Sequence, residues 1–206
     1  MSLMTSICIG NQMEKFVSVY DDVVPNHICE RIIALFEECK PQQMKSNVGD
    51  NEYDLGYRNA IELNCSKQEE FNDVLGSMNM VAINMRKKYF ADLKERGIPD
   101  FSFPAGGTLR MEEWRMHRYD DASSFFKPHV DSHDGDSSKR YLALLFYMND
   151  VAEGGETRFT DHLAPLNCRP KTGRLLMFPT WWGFPHEAVP PVSNPKYLLK
   201  TYFHYV

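Results

Sequence analysis

Seven short runs of β-branched and aromatic residues crowd into the last hundred residues of this chain, and their density limits the fold more than any other feature. They span residues 108–119, 125–131, 140–149, 157–160, 174–178, 186–192 and 196–206, punctuated by Gly, Pro, Asn and Asp. So many strands in so little chain predict a sandwich or jelly roll rather than alternating βαβ units. Tyr141 to Met148 is apolar at every position, as a strand buried between two layers would be. In the first run the apolar phase slips. Leu109 and Met111 fall on odd positions and Trp114 and Met116 on even ones, which predicts a β-bulge near Glu112 and Glu113.

Helices are expected upstream. After a strand-like stretch at residues 16–20, Pro25 and Asn26 open a helix with Ile28, Ile32, Leu35 and Phe36 on one face, ending before Pro41. Residues 41–56 read as a polar loop and residues 58–63 as a strand. From Ser66 to Arg96, Phe71, Val74, Leu75, Met78, Ala82, Met85, Tyr89 and Leu93 recur at three and four residues, the mark of a long amphipathic helix that covers a sheet. Ser66 with Glu69 fits a capping box, and Gly97 and Pro99 supply the stop. Helices preceding strands make one α+β unit. At 206 residues it fits a single domain, with residues 1–107 as helical support and first strands and 108–206 as the jelly-roll core. Met1-Ser2-Leu3 ahead of Met4 reads as a cloning remnant.

With 23 basic and 28 acidic residues the net charge is −5, which gives no electrostatic reason to seek phosphate backbones, so no nucleic acid partner is expected. The longest apolar run is far below the ~20 residues of a membrane span. Cys8, Cys29, Cys39, Cys65 and Cys168 form no CxxC pair and read as free packing thiols of a reducing, cytoplasmic compartment.

His129-Val130-Asp131 sets an imidazole and a carboxylate two residues apart, a spacing that on a strand points both to one face. Alone the pair carries little, and an exposed strand end is the plainer reading. His186 adds weight, because it follows the strand-like stretch 173–179 and begins a strand that a sandwich can set beside His129. His, Asp and His on one face of a metal leave three positions open, the facial triad of non-haem Fe(II) oxygenases. Lys196, ten residues after His186, adds a fixed cation near that metal, with Lys200 as the competing choice.

Taken in order, Phe126-Lys127-Pro128-His129-Val130-Asp131, Arg140-Tyr141 opening an apolar strand, Glu153-Gly154-Gly155-Glu156-Thr157-Arg158-Phe159, Pro170-Lys171-Thr172-Gly173-Arg174, His186 and Lys196-Tyr197 resemble the catalytic domain of the 2-oxoglutarate and Fe(II)-dependent dioxygenases, in their prolyl 4-hydroxylase-like branch. The likeness runs from about Leu109 to the C-terminus, with a weaker likeness from Val23 to Phe36. It implies a double-stranded β-helix, or jelly roll, buttressed by N-terminal helices. It implies that His129, Asp131 and His186 hold Fe(II), that Lys196 meets the distal carboxylate of the co-substrate 2-oxoglutarate, and that Tyr119 hydrogen-bonds the same co-substrate. O2 and ascorbate complete the implied set. The implied reaction is hydroxylation of an unactivated C–H bond, coupled to decarboxylation of 2-oxoglutarate to succinate, on a prolyl peptide or protein. A free amino acid or other small molecule stays open as substrate. The sequence departs from the branch in one extra residue between Tyr119 and His129, in a short acidic loop at 132–139, and in Thr180-Trp181-Trp182-Gly183-Phe184-Pro185 ahead of the distal His.

The rival reading is a non-catalytic cupin-like or dioxygenase-like binding module, which would be expected to lose a ligand or the distal lysine, and neither is lost. Arg140 reads either as a contact to a substrate carbonyl or carboxylate or as a surface ion pair. Trp182, with Trp181, reads as shaping the substrate mouth or as a packed rim residue. His133, Asp134 and Asp136 read as a hydrated lid loop, and His27, His117, His162 and His204 as structural residues.

Overall fold

The computed structural model describes residues 13–46, 54–99, 110–160 and 166–205. A 3-10 turn and strand β1 (Ser18–Tyr20) lead to helix α1 (Asn26–Glu38), short strands β2 (Met44–Lys45), β3 (Arg58–Asn59) and β4 (Ile61–Asn64), and helix α2 (Asn72–Glu95). There follow β5 (Arg110–Met111), β6 (Arg115–Tyr119), β7 (Phe125–His129), β8 (Arg140–Tyr147), β9 (Thr157–Phe159), β10 (Asn167–Cys168), β11 (Leu175–Pro179), β12 (His186–Ala188) and β13 (Lys196–His204). They build two antiparallel sheets. The larger runs β1-β11-β8-β13-β6-β4-β2, with β5 paired to β13, and the smaller runs β10-β9-β12-β7-β3.

The apolar run of β8 explains the layering. Leu142, Leu144 and Phe146 share one apolar cluster with Ile32, Leu35 and Phe36 of α1 and Leu75 and Met78 of α2. Ala143, Leu145 and Tyr147 point the other way, into a cluster with Phe159 and Cys168 of the smaller sheet. Both faces of β8 are therefore buried, and a residue of either parity must be apolar or satisfied. The same alternation on β13 sends Leu199 and Phe203 toward the helices and Leu198 and Tyr202 between the sheets. Lys196 and Lys200 share the parity of Leu198 and Tyr202, so two lysines face the interior.

The expected bulge is present. Phe203 pairs with Met111 but Lys200 pairs with Arg115, so three residues of one strand oppose two of the other across Glu112 to Trp114. Two expectations need correction. Residues 58–63 are not one strand: β3 pairs with β7 in the smaller sheet, β4 pairs with β6 in the larger, and the chain changes sheet at Ala60. The long helix begins at Asn72 rather than Ser66, after two 3-10 turns, and has no side-chain cap. Ser66 Oγ instead accepts the backbone N–H of Trp114 at 2.8 Å, a tertiary bond that takes the place of the capping box. The predicted stop holds, with Gly97 at φ +78° donating to Lys94 O and Ile98 donating to Leu93 O. The polar loop after Pro41 contains β2, and β10 was not legible at two residues. Met1–Leu3, Cys8, Thr108, Leu109 and His162 lie outside the described residues. Cys29, Cys39, Cys65 and Cys168 are buried and free, and among the described residues no helix is long and apolar enough to cross a membrane.

Gly173 ties the core to the N-terminal segment. Its carbonyl accepts from Val23 N and Val24 N, its φ is +75°, and a Cβ there would sit 2.3 Å from Val24 O. Gly173→Ala combines a left-handed backbone with a backbone clash and should cost on the order of 3 kcal/mol, read as a lower urea midpoint at unchanged slope.

Candidate metal centre

Antiparallel pairing of β7 and β12 sets His129 directly opposite His186, and their ring centroids lie 4.3 Å apart. Asp131 follows two residues after His129 and is buried. The nearest ligand atoms of the three side chains all fall within 4.8 Å of one another. Each imidazole is oriented through its Nδ1, which lies 2.9 Å from Lys127 O in His129 and 3.1 Å from Phe184 O in His186. A carbonyl can only accept, so Nδ1 carries the proton and Nε2 keeps its lone pair for a metal. Packing holds the rings in place. Phe126 stacks on His129 at 3.5 Å, and Phe178 meets His186 edge-on at 4.7 Å.

Burial pushes both histidines below the ordinary imidazole range and keeps them neutral. Burial works against ionisation of Asp131, but the Lys200 ammonium and the Tyr202 hydroxyl favour the charged form, and the carboxyl is held below the ordinary carboxylate range. Tyr202 donates to Asp131 Oδ1 at 2.7 Å, and Arg140 Nη1 donates to the Asp131 backbone carbonyl at 2.8 Å. Oδ2 is buried without a hydrogen-bond partner, 3.5 Å from His186 Nε2. An orphaned anionic oxygen facing an imidazole lone pair is costly as it stands and fits a divalent cation. Because Tyr202 aims the carboxylate, Tyr202→Phe should weaken Fe(II) or Mn(II) binding roughly 10–100-fold, measured by titration calorimetry, with the far-UV spectrum unchanged.

Lys196 sits opposite Tyr119 in the β13–β6 register and is fully buried. Its Nζ has no hydrogen-bond partner and lies 5.2 Å from the Tyr119 ring centroid and 5.5 Å from that of Tyr147, whose hydroxyl donates to Thr157 Oγ1 at 2.7 Å. Burial pulls this ammonium down to about 8. Since the unfolded chain holds the lysine proton up to about pH 10.4, it binds more protons than the folded one between these values. Stability of the ligand-free protein should therefore rise from about pH 8 to about pH 10, by on the order of 2 kcal/mol from this residue. Buried tyrosines such as Tyr20, held at about 12, then reverse the slope. Melting curves across that range check it, and an anion bound at Lys196 should flatten the rise.

Lys200 is half-buried and lines the same cavity as His129, Asp131 and His186, with Nζ 3.1 Å from the Tyr202 hydroxyl. His117 also lines it, although no motif marked it. It is buried, accepts at Nδ1 from Arg58 Nη2 at 2.9 Å, and is driven neutral by burial and by that guanidinium. Glu62 lies 3.6 Å from the same Nδ1, but a nitrogen that accepts from Arg58 holds no proton to share with it. Period-two reading back from Tyr119 was the signal that would have found His117. Arg140 is held by Glu112 as well as by the Asp131 carbonyl. Trp182 is 77% exposed and does not line the cavity, whereas Trp181 packs edge-on against Phe184. His204 meets Glu112, and His133 meets Asp134 at the surface.

Residues 114–204 match the family model described as the 2OG-Fe(II) oxygenase superfamily. No curated protein matches the sequence. Among solved structures, the chain is similar to a viral collagen prolyl hydroxylase from Paramecium Bursaria Chlorella virus-1 in complex with 2OG, with TM-score 0.63, 18% identity and coverage of 93% of this chain and 97% of that one. A Trichoplax adhaerens prolyl hydroxylase in complex with a hypoxia inducible factor peptide fragment gives 0.65 at 14% identity over 95% and 89%. A Pseudomonas putida prolyl-4-hydroxylase gives 0.66 at 17% identity over 92% of each chain. At these identities the likeness establishes a shared fold.

Proposed function

Residues 114–204 carry a domain of the 2OG-Fe(II) oxygenase superfamily, and on that premise we propose that the chain is a prolyl 4-hydroxylase-like enzyme, one dioxygenase domain whose helices α1 and α2 buttress a jelly roll and whose substrate is a peptide or protein. The observation that carries this reading is the pairing of two orphaned buried atoms, the Asp131 oxygen and the Lys196 ammonium, in one interior. One asks for a cation and the other for an anion, which an Fe(II)–2-oxoglutarate pair supplies together.

Fe(II) with 2-oxoglutarate and O2 supplies the oxidising power for inserting oxygen into a C–H bond. The protein's part is to bind and orient. His129 and His186 would offer a bound metal neutral nitrogens and Asp131 a single negative charge, a donor set that cancels only half of a divalent charge and would favour an anionic keto acid beside it. Lys196 meets the distal carboxylate, with Tyr119 and Tyr147 as walls that keep the pair out of water. A solved relative in fold is described with a hypoxia inducible factor peptide fragment, which favours a peptide over a free amino acid.

The test is turnover of anaerobically purified protein given Fe(II) and 2-oxoglutarate and then air, with and without proline-containing peptides. Succinate release that a peptide stimulates, with a gain of one oxygen on proline, is the expected outcome. A bound metal with no succinate under any condition would show a binding module instead.

A further inference from the structure

We propose that Lys200 forms a second anion subsite beside the metal, and that the substrate therefore presents a carboxylate there. The inference deepens the reading above and rests on it. In that reading the interior closes its charge without Lys200: Fe(II), the Asp131 carboxylate, the Lys196 ammonium and the 2-oxoglutarate dianion sum to neutrality. The ammonium of Lys200 is left over. Among the described residues no carboxylate lies within ion-pair distance of it, and its one hydrogen-bond partner is the Tyr202 hydroxyl. Nearby acids are already engaged: Asp131, linked to Lys200 only through the Tyr202 hydroxyl, is counted against the metal. Glu62 serves Arg58 and Arg115, Glu112 serves Arg140 and His204, and Glu187 serves Arg158.

Position separates the two lysines. Lys196 is wholly buried and does not line the cavity, whereas Lys200 reaches it beside the metal-ligating trio. The cation is thus open to whatever enters next to the metal, beside neutral His117, and the two acids of the same lining are committed elsewhere, Asp131 to the metal and Glu187 to Arg158. In a low-dielectric cavity, a charge-assisted bond to an incoming carboxylate discriminates strongly against its neutral amide. That carboxylate can come from an acidic side chain beside the target residue or from a free C-terminus, and matched probes separate the two.

Titration calorimetry under argon on protein loaded with Mn(II) and 2-oxoglutarate would use two pairs: an end-blocked Pro-Glu peptide against its Pro-Gln twin, and N-acetylproline against N-acetylprolinamide. The carboxylate member of at least one pair should bind tenfold or more tightly. A gain in the first pair assigns a side chain and a gain in the second a terminus. Lys200→Met should erase the difference, and Lys200→Glu should invert it, so that an end-blocked Pro-Lys peptide outbinds Pro-Gln. That inversion cannot come from misfolding. Equal binding within both pairs, including no binding of any member, overturns the inference. So does discrimination that survives Lys200→Met, or a Lys200→Met protein whose loss is in 2-oxoglutarate affinity, which would make Lys200 the co-substrate partner. Succinate release with Fe(II) is a separate readout. Its absence sinks the hydroxylase reading, whereas release without discrimination within the pairs sinks this inference alone.

Discussion

Lys196→Met should yield a protein that is more stable than the parent without ligands and nearly blind to 2-oxoglutarate. The two effects share one cause. Without ligand, Lys196 keeps an ammonium in an interior that pulls it down to about 8 and offers no hydrogen-bond partner. Methionine fills the same volume with no charge to desolvate, so at pH 7 the variant should gain on the order of 2 kcal/mol. With 2-oxoglutarate present, the parent gains a buried ion pair that the variant cannot form. Removing one partner of such a pair costs about 3–5 kcal/mol, which is roughly two to three and a half orders of magnitude in affinity. Thermal melts with and without 2-oxoglutarate, in the presence of Mn(II), should therefore cross: the variant leads without ligand and trails with it. A variant destabilised in both states would place Lys196 among ordinary packing residues.

Asp131→Asn should abolish metal binding while keeping the shape of the site. Asn is isosteric and still accepts the Tyr202 hydroxyl bond, yet it removes the one negative charge that the trio contributes. The loss should exceed the roughly 10–100-fold assigned to Tyr202, because the ligand itself changes rather than its support. Calorimetry with Mn(II) reads the affinity, and an unchanged near-UV spectrum shows that the aromatic cluster of Phe126, Phe159 and Phe178 around the imidazoles is intact. Retained tight binding in this variant would move the metal elsewhere.

Much of this was legible because burial on both faces leaves marks in sequence. The eight apolar residues opening at Tyr141 foretold a strand between layers, and the slip from Met111 to Trp114 foretold the extra residue across from β13. The trio was legible because period-two spacing links His129 to Asp131, and the run ahead of His186 marked it as opening a strand that pairs beside His129. What escaped depended on contacts between distant segments. Ser66 looked like a helix cap because only the folded chain brings the Trp114 amide to it. The sheet change at Ala60 leaves no local signal in Arg58 to Leu63. Tyr202 and the cavity position of Lys200 are set by which edge of β13 meets the smaller sheet, and strand parity alone does not give that.

The account rests on one ion and one keto acid seated together between β7, β12 and β13, and a single titration reaches it most directly. Fe(II) added under argon to the protein with excess 2-oxoglutarate should raise the weak visible charge-transfer band of the chelate, saturating at one equivalent, and the band should vanish in Asp131→Asn and weaken in Lys196→Met. No band at any iron concentration, or a band of full strength in both variants, would contradict it.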